Sequence, residues 1–128
     1  MSTLLAFDVG LRRTGVAIAF SGMEMAVAKD TIRHTTMADL VSKMMGLCSL
    51  HEVKTIILGL PLLATGTEVE QASIVRSLAK NLEKLGFEVL FIDERYTTPR
   101  NVQYDGDAAS ACQILSMYLE RKKNLTQS

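Results

Sequence analysis

The stretch that most constrains the fold of this chain runs from Phe7 to Phe20 and reads FDVGLRRTGVAIAF. An apolar run ends abruptly at Asp8, a short loop carries Arg12 and Arg13, and a second apolar run follows. This pattern predicts two adjacent strands with a tight connection. Glycine at both ends of the loop permits close backbone approach, so a phosphate could reach the amides there while the arginines neutralise it. The alternative is that Asp8 only ends a strand and the arginines form a solvated turn.

Length and composition predict one domain, residues 1–128, with a sizeable core. Apolar residues make up 48% of the chain and charged residues 22%, as in soluble globular proteins. The formal net charge is zero, so any nucleic-acid site must come from local clustering of charge. We recognise no signal sequence, and the longest apolar stretch, Thr55 to Ala64, is too short to span a bilayer. We therefore expect a cytoplasmic protein with no membrane contact.

Hydrophobic periodicity and turn signals predict five strands and three helices. Thr36 with Asp39 marks the start of the first helix, and Thr67 with Glu70 has the spacing of a capping box that opens the second. The predicted strands are Leu4 to Asp8, Thr14 to Phe20, Met23 to Ile32, Thr55 to Leu60 and Glu88 to Ile92, and the last helix begins near Asp107. This order predicts an α/β fold whose five-stranded mixed sheet, three antiparallel strands and then parallel ones, is flanked by helices with the first strand at its centre.

Three carboxylates are expected to converge at one end of this sheet. Asp8 ends the first strand, Glu94 follows the last strand, and Asp107 opens the final helix, where a capping role competes with catalysis. Clustered carboxylates repel one another unless cations lie between them, so the three acids indicate a Mg²⁺ or Mn²⁺ site. The exposed face of the second helix carries Arg76 and Lys80, which could line a phosphate track or form a solvated surface.

Four motifs together carry a family resemblance that covers nearly the whole chain: DVGLRRTGVAIA, GLPLLATGTEVEQ, FIDERYTT and DAASACQILSMYLE. In this order they resemble the YqgF family, also called the RuvX family of Holliday junction resolvase-like proteins. The resemblance implies a ribonuclease H-like fold and a metal-dependent endonuclease. It implies a role in maturing the 5′ end of 16S ribosomal RNA, or, by an older assignment, in resolving Holliday junctions.

The resemblance also implies roles for individual residues. The family's acidic positions fall on Asp8, Glu94 and Asp107, which it gives as both catalytic residues and metal ligands. Its nucleic-acid-binding or phosphate-binding elements fall on Arg12 and Arg13 in the basic loop, on Thr67, Glu68 and Gln71 in the GTE motif, and on Arg95, Thr97 and Thr98 in the DER motif; Arg76 is a further candidate.

The chain departs from the family pattern between Thr98 and Asp107, where only PRNVQYDG intervenes. The family usually has a helix and a flexible basic loop there, so much of the positive charge expected to hold nucleic acid is missing. Asp105 is an alternative third acid if the short loop shifts the register.

Three hypotheses stay open. The first is an endonuclease on structured RNA such as pre-16S rRNA, or on branched DNA. The second is a protein that binds nucleic acid or a ribosome precursor with weakened catalysis, and the third is a small phosphotransferase or nucleotide-binding domain, which so short a chain disfavours. A monomer or a weak homodimer is expected.

Overall fold

A computed structural model describes residues 2–63, 65–96 and 106–127. Within these residues the chain forms five strands and three helices in the predicted order. In chain order the elements are β1 (Leu4–Asp8), β2 (Arg13–Ala19), β3 (Val27–Arg33), α1 (Met37–Leu50), β4 (Thr55–Leu63), α2 (Glu70–Lys84), β5 (Glu88–Tyr96) and α3 (Ala108–Gln127).

The five strands form one sheet in the order β3-β2-β1-β4-β5. Strand β1 pairs antiparallel with β2 and parallel with β4, while β3 extends the antiparallel half and β5 the parallel half. The mixed sheet with a central first strand is therefore confirmed. Crossovers through α1 and α2 lead into the parallel strands, as such connections require.

Side chains of β1 alternate between two apolar layers, one on each face of the sheet. Leu5 and Phe7 join the layer that includes α1 and α2, while Leu4 and Ala6 join the layer that includes α3. The helices contribute Leu40, Met44 and Cys48 from α1, Val75, Leu78 and Leu82 from α2, and Ala111, Ile114 and Leu115 from α3. Helix α3 thus lies on the opposite face of the sheet from α1 and α2.

The start of α1 is as predicted, but the start of α2 is not. The Thr36 side chain accepts a hydrogen bond from the Asp39 amide at 3.0 Å and caps α1. Thr67 does not cap α2, because the helix begins at Glu70 after Val69, whose side chain makes no capping bond. The backbone ahead of α2 instead folds back on β4, where Glu68 bridges to Leu62. This pairing keeps the backbone ahead of α2 extended past Thr67.

Strands β4 and β5 are longer than predicted, and Pro61 lies within β4 rather than after it. In a strand, the N–H and C=O of one residue point to the same side. The Pro61 carbonyl accepts the Val69 amide, so the N–H that proline lacks would lie on the side where pairing with β1 has already ended at Leu58. Proline therefore removes no hydrogen bond between strands here.

The predicted third strand is shorter than expected. A turn follows β2, in which the Phe20 carbonyl accepts a hydrogen bond from the Met23 amide. Strand β3 begins only at Val27. None of the helices in the described part of the chain is both long and apolar enough to cross a bilayer.

Candidate functional site

Asp8 is the last residue of β1 and is almost completely buried, with 3% of its surface exposed. It follows Leu4 and Ala6 at alternate positions, so it faces the side of the sheet that α3 covers. Its Oδ2 accepts a hydrogen bond of 3.1 Å from the backbone amide of Asp107. A bond between residues so far apart in sequence fixes the start of α3 directly above the end of β1.

Asp107 immediately precedes α3 and caps it. Its Oδ1 accepts the Ser110 amide at 2.8 Å, and its carbonyl accepts the Ala111 amide. The predicted capping role is therefore present, while the residue as a whole is exposed. The N-terminus of α3 also carries partial positive charge, which favours the buried Asp8 carboxylate beside it.

Glu94 lies inside β5, opposite Pro61, and alternates with Ile92 onto the α3 side of the sheet. Its Oε2 would lie 3.1 Å from a Cβ added at Gly59, so the carboxylate reaches over that glycine. Phe7 pairs with Leu58, so Asp8 and Gly59 come next on two neighbouring strands. Glu94 therefore leans over the strand adjacent to Asp8.

The structure brings the three predicted acids to one end and one face of the sheet, but not into a formed ligand cluster. Among the residues it describes, no group of three or more His, Cys, Asp or Glu side chains is arranged to hold a metal ion. One oxygen of Asp8 receives the Asp107 amide, and one oxygen of Asp107 caps its own helix. The donor chemistry nevertheless fits a hard divalent cation, which prefers carboxylate oxygens.

Arg12 and Arg13 are exposed on the loop and at the start of β2, as predicted. The loop glycines, however, serve the fold rather than an open phosphate cradle. The Gly10 amide points to Thr14 Oγ1 at 3.4 Å, and a Cβ on Gly15 would collide with the backbone of Asp107. The Gly10 amide and the Gly15 position are therefore not open to an anion, whereas both arginine side chains are exposed.

Sequence reasoning missed a buried polar pair behind this loop. Thr14 and His34 are 0% and 4% exposed, and Thr14 Oγ1 lies 2.9 Å from His34 Nε2. The His34 amide also donates to the Arg12 carbonyl at 2.9 Å. The period of two from Ile32 to His34 was the available signal, since alternate residues of a half-buried strand share a face.

A cavity of about 530 Å³ opens beside the same loop. Its lining brings together residues from β2, the end of β3 and α1: Arg12, Arg13, Arg33, His34, Thr35, Asp39 and Lys43. Most of this lining is basic, and no sequence pattern indicated that Arg33 and Lys43 would join the two predicted arginines.

Gln71 and Arg76, two predicted binding residues on α2, make contacts within the protein. Gln71 Nε2 donates to the Val9 carbonyl at 3.3 Å, which ties α2 to the chain just after Asp8. Arg76 donates three hydrogen bonds to Glu68, one from Nη2 at 2.6 Å and two from Nε at 2.9 and 3.1 Å. These bonds lower the pKa of the Glu68 carboxyl and raise that of Arg76.

The guanidinium of Arg76 also lies 5.5 Å from the centre of the Phe91 ring. The hydroxyl of Thr67, a further predicted contact, accepts a hydrogen bond from the Thr65 hydroxyl at 3.1 Å. Arg95 belongs to β5, but its side chain lies outside the described part, as do Thr97, Thr98 and Asp105.

A family model described as RuvX, Holliday junction resolvase, matches residues 2–121. The chain belongs to the RuvX family. Members of this family are nucleases, hydrolases that act on phosphodiester bonds, and this RuvX chain has the corresponding ribonuclease H-like fold.

Two curated relatives carry the name "Putative pre-16S rRNA nuclease". The protein from Novosphingobium aromaticivorans is 36% identical over 75% of the RuvX chain, which spans 62% of that relative's length. The protein from Sulfurihydrogenibium sp. is 30% identical over 94% of the chain and 92% of its own length. Among solved structures, Thermus thermophilus RuvC in complex with a Holliday junction substrate superposes with a TM-score of 0.62, at 8% identity, over 97% of each chain.

Proposed function

We propose that this RuvX chain is a metal-dependent endonuclease that cleaves structured RNA, with the 5′ end of the 16S ribosomal RNA precursor as its substrate. The observation that carries the proposal is the hydrogen bond from the Asp107 amide to buried Asp8, which joins the two ends of the chain at one site. The bond places the Asp107 backbone, and with it a second carboxylate, beside Asp8. The names of the curated relatives support the choice of RNA.

Asp8, Glu94 and Asp107 are the proposed ligands of Mg²⁺ or Mn²⁺. A bound divalent cation would supply an activated water and stabilise charge on the leaving oxygen of a phosphodiester. The hydrogen bond from the Asp107 amide, at the N-terminus of α3, fixes the direction of the Asp8 carboxylate. Asp107 is exposed, so its side chain can exchange its capping bond for a cation at modest cost.

The remaining predicted residues fall into two groups by their contacts. Arg12 and Arg13 are exposed beside the acids and are the proposed phosphate contacts, with Arg95, Thr97 and Thr98 as further candidates. Gln71 is better assigned to positioning, because it holds the Val9 carbonyl next to Asp8. Thr67 and Arg76 would have to exchange existing contacts to reach a phosphate.

A Holliday junction resolvase acting on branched DNA is the second candidate, because the matching family carries that description. A binding protein with weakened catalysis is the third, because only eight residues, PRNVQYDG, separate Thr98 from Asp107. For the first candidate, we propose that the protein works in the cytoplasm on a ribosome precursor, as a monomer or a weak homodimer.

A single experiment separates these candidates. A fragment of the 16S precursor and a four-way DNA junction are incubated side by side with wild type and Asp8→Asn, in Mg²⁺ and in Mn²⁺. We expect wild type to cut the RNA fragment at a defined position and Asp8→Asn to leave both substrates intact. Selective cutting of the junction would support the resolvase, and binding without cutting would support the binding protein. Equal cutting by wild type and Asp8→Asn would refute the assignment of Asp8.

A further inference from the structure

The basic cavity beside the β1–β2 loop concentrates charge that the chain as a whole does not have. Formal net charge over all 128 residues is zero. In the cavity lining, Arg12, Arg13, Arg33 and Lys43 oppose the single carboxylate of Asp39, which leaves three net positive charges with His34 neutral. Such a local cluster attracts and binds a polyanion even when the whole molecule is neutral.

The cationic side of the cavity is assembled by backbone pairing. Arg13 and Arg33 are partners in the β2–β3 ladder, so their side chains start from adjacent positions. Lys43 of α1 donates to the Arg33 carbonyl at 2.6 Å and to Asp39 Oδ2 at 3.2 Å. The Thr35 amide also donates to this Asp39 oxygen at 3.2 Å. The strand pair and the start of α1 are thereby held together around the opening.

Part of the cavity lining lies on the face of the sheet opposite the three acids. Lys43 belongs to α1, which packs on one face, whereas Asp8 faces α3 on the other. Both sites nevertheless border the same short connection between β1 and β2. A nucleic-acid backbone that reaches the acids can therefore continue past this connection to Arg33 and Lys43.

We infer that this cavity binds a phosphodiester of the nucleic-acid substrate that is remote from the cleaved bond. The inference rests on the proposed function and adds a second anchoring point, formed by Arg33 and Lys43 together with Arg12 and Arg13. A substrate then needs a backbone long enough to reach both the acids and the cavity, past the β1–β2 loop. Arg33 and Lys43 contribute binding that is equal in the ground state and the transition state, because they lie away from the acids.

Binding can be measured without any cleavage. Fluorescence anisotropy of a labelled RNA duplex is followed in EDTA for wild type, Arg33→Gln, Lys43→Gln and the control Lys84→Gln, which removes one exposed charge from the end of α2. Each lost phosphate contact removes about 0.9 from the slope of log affinity against log salt. The affinity ratio of wild type to a cavity variant should therefore shrink about 3.5-fold between 50 and 200 mM salt. Lys84→Gln should match wild type.

Asp39→Asn provides a variant with the opposite sign. It removes the negative charge from the cavity while keeping an oxygen for the Thr35 amide, so duplex affinity should rise and the salt slope should steepen. Inorganic phosphate, titrated in a second arm, should compete only weakly, because it offers one phosphate rather than a backbone. Strong competition by inorganic phosphate with unchanged duplex binding by Arg33→Gln would overturn the inference in favour of a small-anion site.

Equal salt slopes for Arg33→Gln, Lys43→Gln and Lys84→Gln would also overturn the inference. With a cleavable substrate, the cavity variants should raise KM and leave kcat near the wild-type value. The proposed nuclease can fail independently of the cavity: if no substrate is cut but the cavity variants still weaken duplex binding, only the catalytic proposal is wrong.

Discussion

Replacement of Gly15 by alanine tests how closely α3 is set against the sheet. Gly15 is buried in β2, and a Cβ there would collide with the Asp107 carbonyl and approach the Ala108 amide. These are backbone atoms at the start of a helix, so they cannot move aside as a flexible side chain would. Overpacking of this kind costs about 1–3 kcal/mol, and moving the Asp107 amide from the Asp8 carboxylate removes a charged hydrogen bond worth about 1.5–3 kcal/mol.

Because partial relaxation avoids part of both costs, we expect the free energy of unfolding to fall by about 2–4 kcal/mol. The melting temperature should then fall by about 10 °C in a domain of this size. Gly46→Ala is the matched control, since Gly46 lies exposed within α1 and an added Cβ meets nothing within 4 Å. It should stabilise the protein by about 1 kcal/mol through helix propensity. Denaturant unfolding of both variants gives the comparison, and a Gly15→Ala protein as stable as wild type would refute the packing argument.

Three further predictions concern individual side chains. Burial raises the pKa of the Cys48 thiol to about 11, so in a variant whose other cysteine is serine, a thiol reagent at pH 8 should react only as the protein unfolds. The hydrogen bond from the Thr35 amide, together with Lys43, lowers the pKa of Asp39 below its ordinary value of 3.8. The charged Asp39 carboxylate therefore stabilises the fold above about pH 4, and this stabilisation is lost as the pH falls further. The denaturant midpoints of wild type and Asp39→Asn should accordingly converge on acidification. Asp107→Ala should lose about 1 kcal/mol of unfolding free energy with its bond to Ser110, measured against Asp107→Asn, which keeps a capping oxygen.

The strand order was predictable because each strand carries its own apolar pattern and the connections limit how strands can neighbour one another. The start of α1 was predictable for a local reason, since Thr36 and Asp39 are only three residues apart. The start of α2 was not, because the Thr67 and Glu70 spacing competes with backbone pairing to β4. That competition depends on a strand earlier in the chain, which the local pattern does not contain.

The position of the acids was predictable to the level of sheet end and face. Alternation along β1 predicts the direction of the Asp8 side chain, and the start of the last helix predicts the place of Asp107. No sequence pattern predicts that the Asp107 amide would donate a hydrogen bond to the Asp8 carboxylate. The basic cavity was missed because Arg33 and Lys43 come together only through the β2–β3 ladder and the packing of α1. Charges spread over separate elements leave no run in the sequence to detect.

The central claim is that Asp8 belongs to a divalent-cation site, and thermal melting with and without Mn²⁺ tests it most directly. A ligand at 100 times its dissociation constant stabilises the folded state by about 2.7 kcal/mol. A melting curve readily resolves a stabilisation of this size. Wild type and the control Asp30→Asn, which changes an exposed aspartate on β3, should both melt at higher temperature in Mn²⁺. Asp8→Asn should show no such rise. An equal rise in all three proteins would contradict the proposed cation site.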